Sequence, residues 1–463
     1  MRTEVHAALT GRVLNFLLTG STLMASLAVM VGHARGDWNA DTAALRRMAR
    51  ETVASAAVRP GTKVGTKINT TGCVLHLPGG SGSYPAFWIR DAAMMLGGDL
   101  IPVSEIEGWI RLIAATQAGR QGISLQHGLF VPAFSIPDHI NVNGKAVWFP
   151  GTYADGDDQG DGQYGHLPPA DDAFFFVQMV REHFNLTGKP ALLGMRVPTG
   201  DGIHSVMEIC DRAFESVAVD PTTGIVVCDE TPGRTRVDWG FCDSVHKSGL
   251  ALVPTILRFR AAGDLAILHD AVGEHAVAAA YRQTAARLRE AVTKTFLHKI
   301  PGDEAMLLSA TGLGRKFDVW GSALAVTEGM LAGEEETAVC RGLLSLYQTG
   351  GIVAEGQVRA MPLSGPLGGY WEKSASPPGQ YQNGAYWGTM SGWLIVALHK
   401  VDPPAARAIL HELVASVARD RQGGAPWEWI NPGLGLYRNP RYCATVALPY
   451  VTLRRCGLVE AEP

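Results

Sequence analysis

The stretch FWIRDAAMML, at Phe87–Leu96, places an Arg–Asp pair behind a tryptophan at the entrance of an apolar run. A second stretch, GAPWEWINPGLG at Gly424–Gly435, places Glu428 between two tryptophans in a loop rich in glycine and proline. The first stretch reads as the start of a buried helix, and the second as a structured loop that carries a carboxylate. Charged groups at such aromatic loop positions are candidates for function.

After about residue 40 the chain reads as one helix after another. Most segments repeat apolar residues at i, i+3, i+4 and i+7, the spacing of a helix with one buried face. Ser104 and Glu107 also read as a capping box before one of them. Strand signals are few and short, for example 224–228. Eleven helices are predicted, at 41–58, 109–115, 171–185, 205–217, 244–262, 271–296, 319–331, 334–347, 387–399, 404–417 and 443–453.

Several of these helices form pairs with short connections, as helical hairpins do. The clearest pairs are 244–262 with 271–296, 319–331 with 334–347, and 387–399 with 404–417. No low-complexity linker divides the chain. At about 70 residues per hairpin, the predicted fold is all-α: one domain over 35–463 with six hairpins in a ring and long functional loops.

Composition excludes several classes of protein. Apolar residues make up 46% of the 463 residues and charged residues 18%, which excludes a disordered chain. The net charge is −4 and no basic run occurs, so nucleic acid is not an expected partner. The seven cysteines form no CxxC pair, and no nucleotide-binding motif has a credible context, so neither a metal nor a cofactor is expected.

The first 34 residues resemble a targeting segment. The apolar run Val13–Val31 follows Arg2 and Arg12 and precedes a small-x-small pattern at 32–34. Polar residues interrupt the run, so a permanent membrane anchor is not expected. Residues 1–34 are predicted to be a signal peptide or a disordered N-terminus. The protein is then periplasmic or extracellular in the first case and cytoplasmic otherwise.

The pattern of carboxylates between aromatic residues points to sugar chemistry. Indole faces stack on pyranose rings, and acids protonate or attack around the anomeric carbon. The pair Arg90 and Asp91, beside Trp88, can hold vicinal hydroxyls through charge-assisted hydrogen bonds. The alternative for that pair is a buried ion pair that fixes the start of a helix. A carbohydrate is the expected partner.

The acidic loop Asp155–Gly165 imitates the start of a calcium loop. His166 stands where the twelfth-position acid is required, so an EF-hand is rejected. One alternative is a solvated acidic loop. The other is a rim loop that supplies Tyr164 and carboxylates to a substrate cleft.

The stretch VDWGFCDSVHKSG, at 237–249, places Asp238 and Asp243 on either side of Trp239 and Phe241. A carboxyl enclosed by aromatic residues has its charged form disfavoured, which raises its pKa and suits a general acid. The alternative is that Asp243 caps a helix that begins near Ser244.

The stretch 371–393 mixes amides with aromatic residues. Gln380, Gln382 and Asn383 offer neutral donors and acceptors next to Tyr381, Tyr386 and Trp387, a composition that fits hydroxyl-rich ligands. Glu372, next to Lys373, is a reserve carboxylate. Glu428 follows about 185 residues after Asp243, so only the fold can bring those two acids together.

Five segments, in order, resemble the six-hairpin glycosidases, the group that contains glucoamylases, trehalases, processing α-glucosidase and neutral invertases. They are FWIRDAAMML, WGFCDSV, FDVWGSALAV, YQNGAYWGTMSGWLIVAL and WEWINPGLG. The resemblance covers most of 40–455 and implies an (α/α)6 toroid. It implies an inverting hydrolase with Asp243 as general acid and Glu428 as base, at a carboxyl separation near ~6.5–9.5 Å. WGFCDSV has an extra residue before its aspartate, so Asp238 stays open as the acid.

The sugar, in this interpretation, is held by Trp88, Arg90, Asp91, Tyr164, Asp238, Trp239, Gln382, Asn383, Trp387 and Trp427. Two other functions stay open. A sugar epimerase or polysaccharide lyase on the same barrel would use a proton carrier such as His127, His139, His166 or His246. A glycan-binding protein without activity would carry the same aromatic clusters. The sugar, its linkage, exo or endo action and the oligomeric state are not determined by these motifs.

Overall fold

The computed structural model describes residues 36–160, 165–228 and 243–459. Helices dominate these ranges, and strands are short. The α-helices are α1 Trp38–Ser55, α2 Ile89–Met94, α3 Val103–Ala115, α4 Asp172–Thr187, α5 Val206–Glu215, α6 Leu252–Ala271, α7 His275–Phe296, α8 Val319–Thr327, α9 Gly333–Gln348, α10 Ser391–His399, α11 Pro403–Arg419 and α12 Ala444–Arg455.

The strands lie in the loops between helices and form small antiparallel sheets. They are β1 Ala57–Val58, β2 Lys63–Val64, β3 Lys67–Ile68, β4 Leu75–His76, β5 Ala86–Trp88, β6 Ile123–Ser124, β7 Phe130–Val131, β8 His139–Asn141, β9 Ala146–Val147, β10 Arg196–Thr199, β11 Gly202–Ser205, β12 Val227–Cys228, β13 Gly249–Leu250, β14 Leu297–Ile300, β15 Glu304–Leu307, β16 Val353–Ala354, β17 Gln357–Arg359, β18 Tyr386–Trp387, β19 Trp429–Asn431 and β20 Leu436–Arg438.

Two of these sheets organise the loops around one end of the helices. The first has the order β5-β8-β9 and pairs Trp88 with His139. The second has the order β16-β17-β18-β19-β20 and pairs Tyr386 with Ile430. The second sheet therefore ties the amide-rich segment before α10 to the segment that carries Glu428.

Burial divides the helices into two alternating sets. The even-numbered helices are largely buried, and all six residues of α2 are buried. Each even-numbered helix packs against the next one, from α2 to α4 and onward to α12, and α12 returns to α2. The odd-numbered helices bury one face each, as the 3.6-residue spacing predicts, and pack on these inner helices. The predicted pairs α6–α7, α8–α9 and α10–α11 are in contact.

Helix boundaries differ from the predictions where strand pairing or proline intervenes. The predicted helix at 244–262 begins instead at Leu252, because Val245 bridges to Ser374 and β13 pairs with β12. The interpretation of Asp243 as the cap of that helix is therefore wrong. The capping box predicted at Ser104 is also wrong, because α3 already begins at Val103, after Pro102. A genuine capping box occurs at Ser205 and Glu208.

The chemistry-bearing segments converge where the inner helices begin. Arg90 and Asp91 lie in the first turn of α2, and Asp171 immediately precedes α4. Tyr386–Trp387 and Glu428 come shortly before α10 and α12. Within the described ranges, no helix is both long enough and apolar enough to span a bilayer. Residues 1–34, with the predicted signal peptide, lie outside the described ranges.

Candidate active site

A cavity of about 210 Å³ opens at this end of the inner helices. Seven of the residues predicted to be catalytic or sugar-binding line it, together with four tyrosines that were not predicted to do so. The described lining residues are Pro78, Tyr84, Trp88, Arg90, Asp91, Pro150, Gly151, Tyr153, Asp243, Tyr381, Gln382, Trp387, Glu428 and Tyr442. Carboxyls, aromatic rings and an amide therefore face one open cavity.

Arg90 and Asp91 each contact a residue from another part of the chain. The Arg90 guanidinium lies 3.2 Å (Nε to Oδ2) from Asp171 and 3.7 Å (Nη2 to Oδ1) from Asp138, and all three are buried. Asp91 instead accepts a hydrogen bond of 2.5 Å from the Tyr442 hydroxyl on Oδ1. Burial raises the pKa of Asp91 to about 6, although the Tyr442 bond and Arg90 oppose the shift.

Glu428 is held from one side by two donors. The Tyr84 hydroxyl donates to Oε2 at 2.7 Å, and the Asn439 side-chain amide donates to the same oxygen. Its side chain is buried, with 2% exposed. Burial raises the pKa of Glu428 to about 8, and the bonds from Asn439 and Tyr84 act in the opposite direction. The two donors fix the carboxyl in one orientation and favour its charged form.

Asp243 keeps partial exposure toward the cavity. The Tyr381 hydroxyl lies 3.5 Å from its Oδ2, and the Gln382 side chain also hydrogen-bonds it. Oδ1 has no hydrogen-bond partner among the described residues. Burial raises the pKa of Asp243, and Arg90 lowers it. The two oxygens of this carboxyl are therefore unequal: Oδ2 contacts the Tyr381 hydroxyl, and Oδ1 is buried without a hydrogen bond from the described residues.

The carboxyls of Asp91, Asp243 and Glu428 influence one another across the cavity. The charges of Asp91 and Asp243 raise the pKa of Glu428, and Asp243 raises that of Asp91. Burial raises the pKa of Tyr381, and the charges of Asp243 and Glu428 raise it further. The sequence places these two acids far apart, and the fold brings them to one cavity.

Some predicted sugar-binding residues do not line the cavity. Asn383 is buried; its Oδ1 accepts from Trp371 N at 2.9 Å, and its Nδ2 donates to Ser376 O. Trp427 donates through Nε1 to Asp420 at 2.6 Å, and it is not among the lining residues. Both of these residues stabilise loops. Tyr164, Asp238 and Trp239 lie outside the described residues. Glu372, the reserve carboxylate, pairs with Lys316 at 3.0 Å and is 46% exposed.

Tyr153 is an aromatic residue of the cavity wall that the sequence motifs did not identify. Its ring meets Trp88 edge to face at a centroid distance of 5.8 Å, and it lines the cavity. The run Trp148–Tyr153, rich in aromatic residues, was the available signal. Asp155 anchors this loop, because Lys67 donates to it at 2.6 Å and Asn141 at 2.7 Å. The pKa of Asp155 is lowered by these bonds, so the carboxyl that opens the acidic loop is an anchor.

The four histidines proposed as proton carriers do not line the cavity. His139 is fully buried, stacks on Trp88 at 4.4 Å and bonds Asp138 through Nδ1 at 2.7 Å. His127 is exposed on the surface. Among the described residues, no three His, Cys, Asp or Glu side chains are arranged to hold a metal ion.

Comparison with known proteins gives a result for the fold alone. No family model matches the sequence, and no curated protein matches it. Solved structures do match. A mannosylglycerate hydrolase of glycoside hydrolase family 63 from Thermus thermophilus, in complex with glucose, aligns at a TM-score of 0.55 and 14% identity, over 88% of this chain and 99% of that one.

Two further structures are similar. A metal-independent α-mannosidase from Streptococcus pneumoniae, in a non-productive complex with α-1,6-mannobiose, aligns at a TM-score of 0.54 and 12% identity, over 91% of this chain and 95% of that one. A family 78 rhamnosidase from a Bacillus species aligns at 0.51 and 13% identity, over 90% of this chain. This chain spans only 35% of the rhamnosidase.

The fold is thus similar to that of glycoside hydrolases. The predicted resemblance to the six-hairpin glycosidases is confirmed at the level of the fold. The mainly helical architecture is confirmed as well. At identities of 12–14%, these likenesses do not identify a substrate.

Proposed function

We propose that the protein is an inverting glycoside hydrolase in which Asp243 and Glu428 are the two working carboxylates. One observation carries the proposal. Two acids about 185 residues apart line one cavity together with Trp88 and Trp387. A pair of carboxyls and a stacking aromatic wall are what glycoside hydrolysis requires.

The proposed architecture is an (α/α)6 toroid formed by one catalytic domain over 35–463. The closed series of contacts from α2 through α12 and back to α2 supports an inner ring. Loops at one end of such a ring come from hairpins that are distant in sequence. This explains how residues from five segments meet at a single cavity.

The proposed mechanism assigns a different task to each acid. Asp243, which lines the cavity, protonates the leaving oxygen, and its carboxyl is oriented by the Tyr381 hydroxyl at Oδ2 and by the Gln382 side chain. Glu428, oriented by Tyr84 and Asn439, removes a proton from the attacking water on the opposite face of the sugar. This geometry requires the two carboxyls to lie ~6.5–9.5 Å apart, with room for water.

The cavity favours a single sugar ring over a polymer groove. Its volume of about 210 Å³ is below the ~300–1,000 Å³ typical of pockets for drug-sized ligands. Asp91, with Arg90 behind it, is placed to bind hydroxyls of that ring, and Trp88 and Trp387 to pack on it. The substrate is therefore proposed to be an oligosaccharide or glycoside that is recognised through one residue.

The test is a screen of the purified protein against aryl and methyl glycosides of mannose, glucose and rhamnose in both anomers. NMR determines which anomer of the sugar product appears first, before mutarotation. We expect hydrolysis of one series with inversion of configuration. Retention would contradict the mechanism, and a product with an ultraviolet-absorbing double bond would indicate a lyase. Sugar binding without turnover would indicate a glycan-binding protein.

The pH dependence should reflect the carboxyl pair. Burial places the pKa of Glu428 at about 8 and raises that of Asp243, and the two steps belong to the pair because the groups interact. The competent form carries one proton on the pair. We therefore expect kcat/KM to be bell-shaped, with an acid limb above the usual aspartate range and an alkaline limb near pH 8. A profile that stays flat through pH 8 would contradict the assignment.

Tyr84→Phe should move the alkaline limb upward. The hydroxyl of Tyr84 donates to Glu428 and lowers its pKa, so its removal raises that pKa, by about one pH unit for a hydrogen bond to a charged group. The measurement is kcat/KM against pH for both proteins. Tyr437→Phe is the matched control, because its hydroxyl binds Glu355 at 2.7 Å outside the cavity. A downward shift in Tyr84→Phe, or equal shifts in both variants, would refute the contact's role.

A further inference from the structure

The segment next to the proposed acid contains an unusual turn. Gln380–Asn383 forms a β-turn closed by the bond from Asn383 N to Gln380 O at 2.9 Å. Tyr381, the second residue of this turn, has φ +47°, and Gln382 does not have a positive φ. A turn with positive φ only at this position strongly favours glycine. Tyrosine is a strained choice there, because a side chain at positive φ crowds the following carbonyl oxygen.

A glycine at position 381 would lack the contacts that the Tyr381 side chain makes. Its ring packs against Trp387 and Trp429, at centroid distances of 4.9 Å and 6.4 Å. Its hydroxyl lies 3.5 Å from Oδ2 of Asp243. Phenylalanine would satisfy the ring packing equally well. The hydroxyl, which points at a carboxyl in the cavity, is the part that packing does not account for.

The same turn brings a second donor to the same carboxyl. Oε1 of Gln382 accepts from the backbone and hydroxyl of Ser244, at 3.0 Å and 2.9 Å, so the amide NH₂ is the group that donates to Asp243. The two central residues of this turn therefore both lie next to Asp243.

Resting on the function proposed above, we infer that Tyr381 is a positioning residue for the acid. Held in a turn with a positive φ, it directs its hydroxyl to Oδ2 of Asp243, next to the Gln382 amide. These two donors hold the carboxyl in one orientation at the wall of the cavity, where the leaving group needs its proton. Strain retained beside a reacting group is consistent with such a role.

Tyr381→Phe tests the inference, because it keeps the ring, the packing and the turn and removes only the hydroxyl. The substrates are 2,4-dinitrophenyl and methyl glycosides of mannose, glucose and rhamnose. A dinitrophenolate leaves without protonation, whereas methanol needs the acid. We expect kcat to fall by about tenfold to a hundredfold on the methyl glycoside and by less than about threefold on the dinitrophenyl glycoside, with KM little changed. Tyr437→Phe is the control for loss of a tyrosine–carboxylate bond elsewhere.

Each outcome has a distinct meaning. An equal loss on both leaving groups at an unchanged Tm would overturn the positioning role, since the defect would then not concern the acid. Unchanged kcat on the methyl glycoside would overturn it as well. Absence of hydrolysis by the wild-type protein on every glycoside would instead refute the proposed function.

Discussion

Glu428→Gln is expected to abolish hydrolysis and, above pH 8, to stabilise the protein. Loss of a general base costs about 10²–10⁴-fold in rate, and the loss should be the same for every leaving group because the attacking water is affected. Glutamine keeps the shape of the side chain and can still accept from Tyr84 and Asn439. The measurement is kcat on dinitrophenyl and methyl glycosides.

The stabilising effect follows from the sign of the pKa shift. Burial raises the pKa of Glu428 from its ordinary value of 4.5 to about 8 in the folded protein. A raised carboxyl pKa contributes stability that is complete below the unfolded pKa of 4.5 and is lost progressively as the pH rises to about 8. Glutamine does not ionise, so the variant should gain on the order of 5 kcal/mol at pH 9 and less than about 1 kcal/mol at pH 5.

Thermal unfolding of both proteins at these two pH values measures that difference. Glu372→Gln is the matched control, because Glu372 pairs with Lys316 outside the cavity and is 46% exposed. The control should keep its activity and show no pH-dependent gain. Wild-type turnover in Glu428→Gln, or a Tm gain at pH 5 as large as at pH 9, would show that the carboxyl is neither the base nor strongly desolvated.

Asp243→Asn should produce the second large loss, and this loss should depend on the leaving group. General acid catalysis contributes about 10²–10⁴-fold, and methyl glycosides should lose most of that factor. Dinitrophenyl glycosides, whose leaving group needs no proton, should retain most of their rate. The asparagine also does not titrate, so the bell-shaped pH profile should reduce to a single limb from Glu428.

The control for this variant is Asp303→Asn, the same change at an exposed turn. Because Asp238 was the competing assignment for the acid, Asp238→Asn belongs in the same series. If Asp238→Asn loses its activity on the methyl glycoside and Asp243→Asn keeps it, the acid has been assigned to the wrong aspartate. Equal losses on both leaving groups in Asp243→Asn would place Asp243 on the base side of the reaction.

Periodicity and local motifs were enough to predict the helical fold. Apolar spacing located eleven of the helices, with boundaries displaced by a few residues in most cases. The larger error, at α6, arose because 243–251 is held by pairing with β12 and with Ser374. Those contacts are non-local, so no pattern within that segment reveals them.

Within the candidate site, the sequence identified the residues whose chemistry is visible locally. Trp88, Asp91 and Glu428 stand out because charge adjoins indole in a short stretch, and all three line the cavity. Trp427 stands out in the same way, yet its indole N–H donates a hydrogen bond to Asp420. Glu428 lines the cavity and neither Trp427 nor Trp429 does, so the pairing of β19 within its sheet, rather than the local motif, decides which side chain of this run faces inward.

The sequence by itself determined the helical class, the resemblance to six-hairpin glycosidases and most of the acids and aromatic residues around the cavity, because these follow from spacing and residue type. Only the tertiary structure decided that Tyr84, Tyr153, Tyr381 and Tyr442 complete the wall, and that Asp138 and Asp171 support Arg90. A tyrosine in a loop has no local signature of function. Its role depends on which distant carboxyl its hydroxyl reaches, and the packing of the inner helices sets that distance.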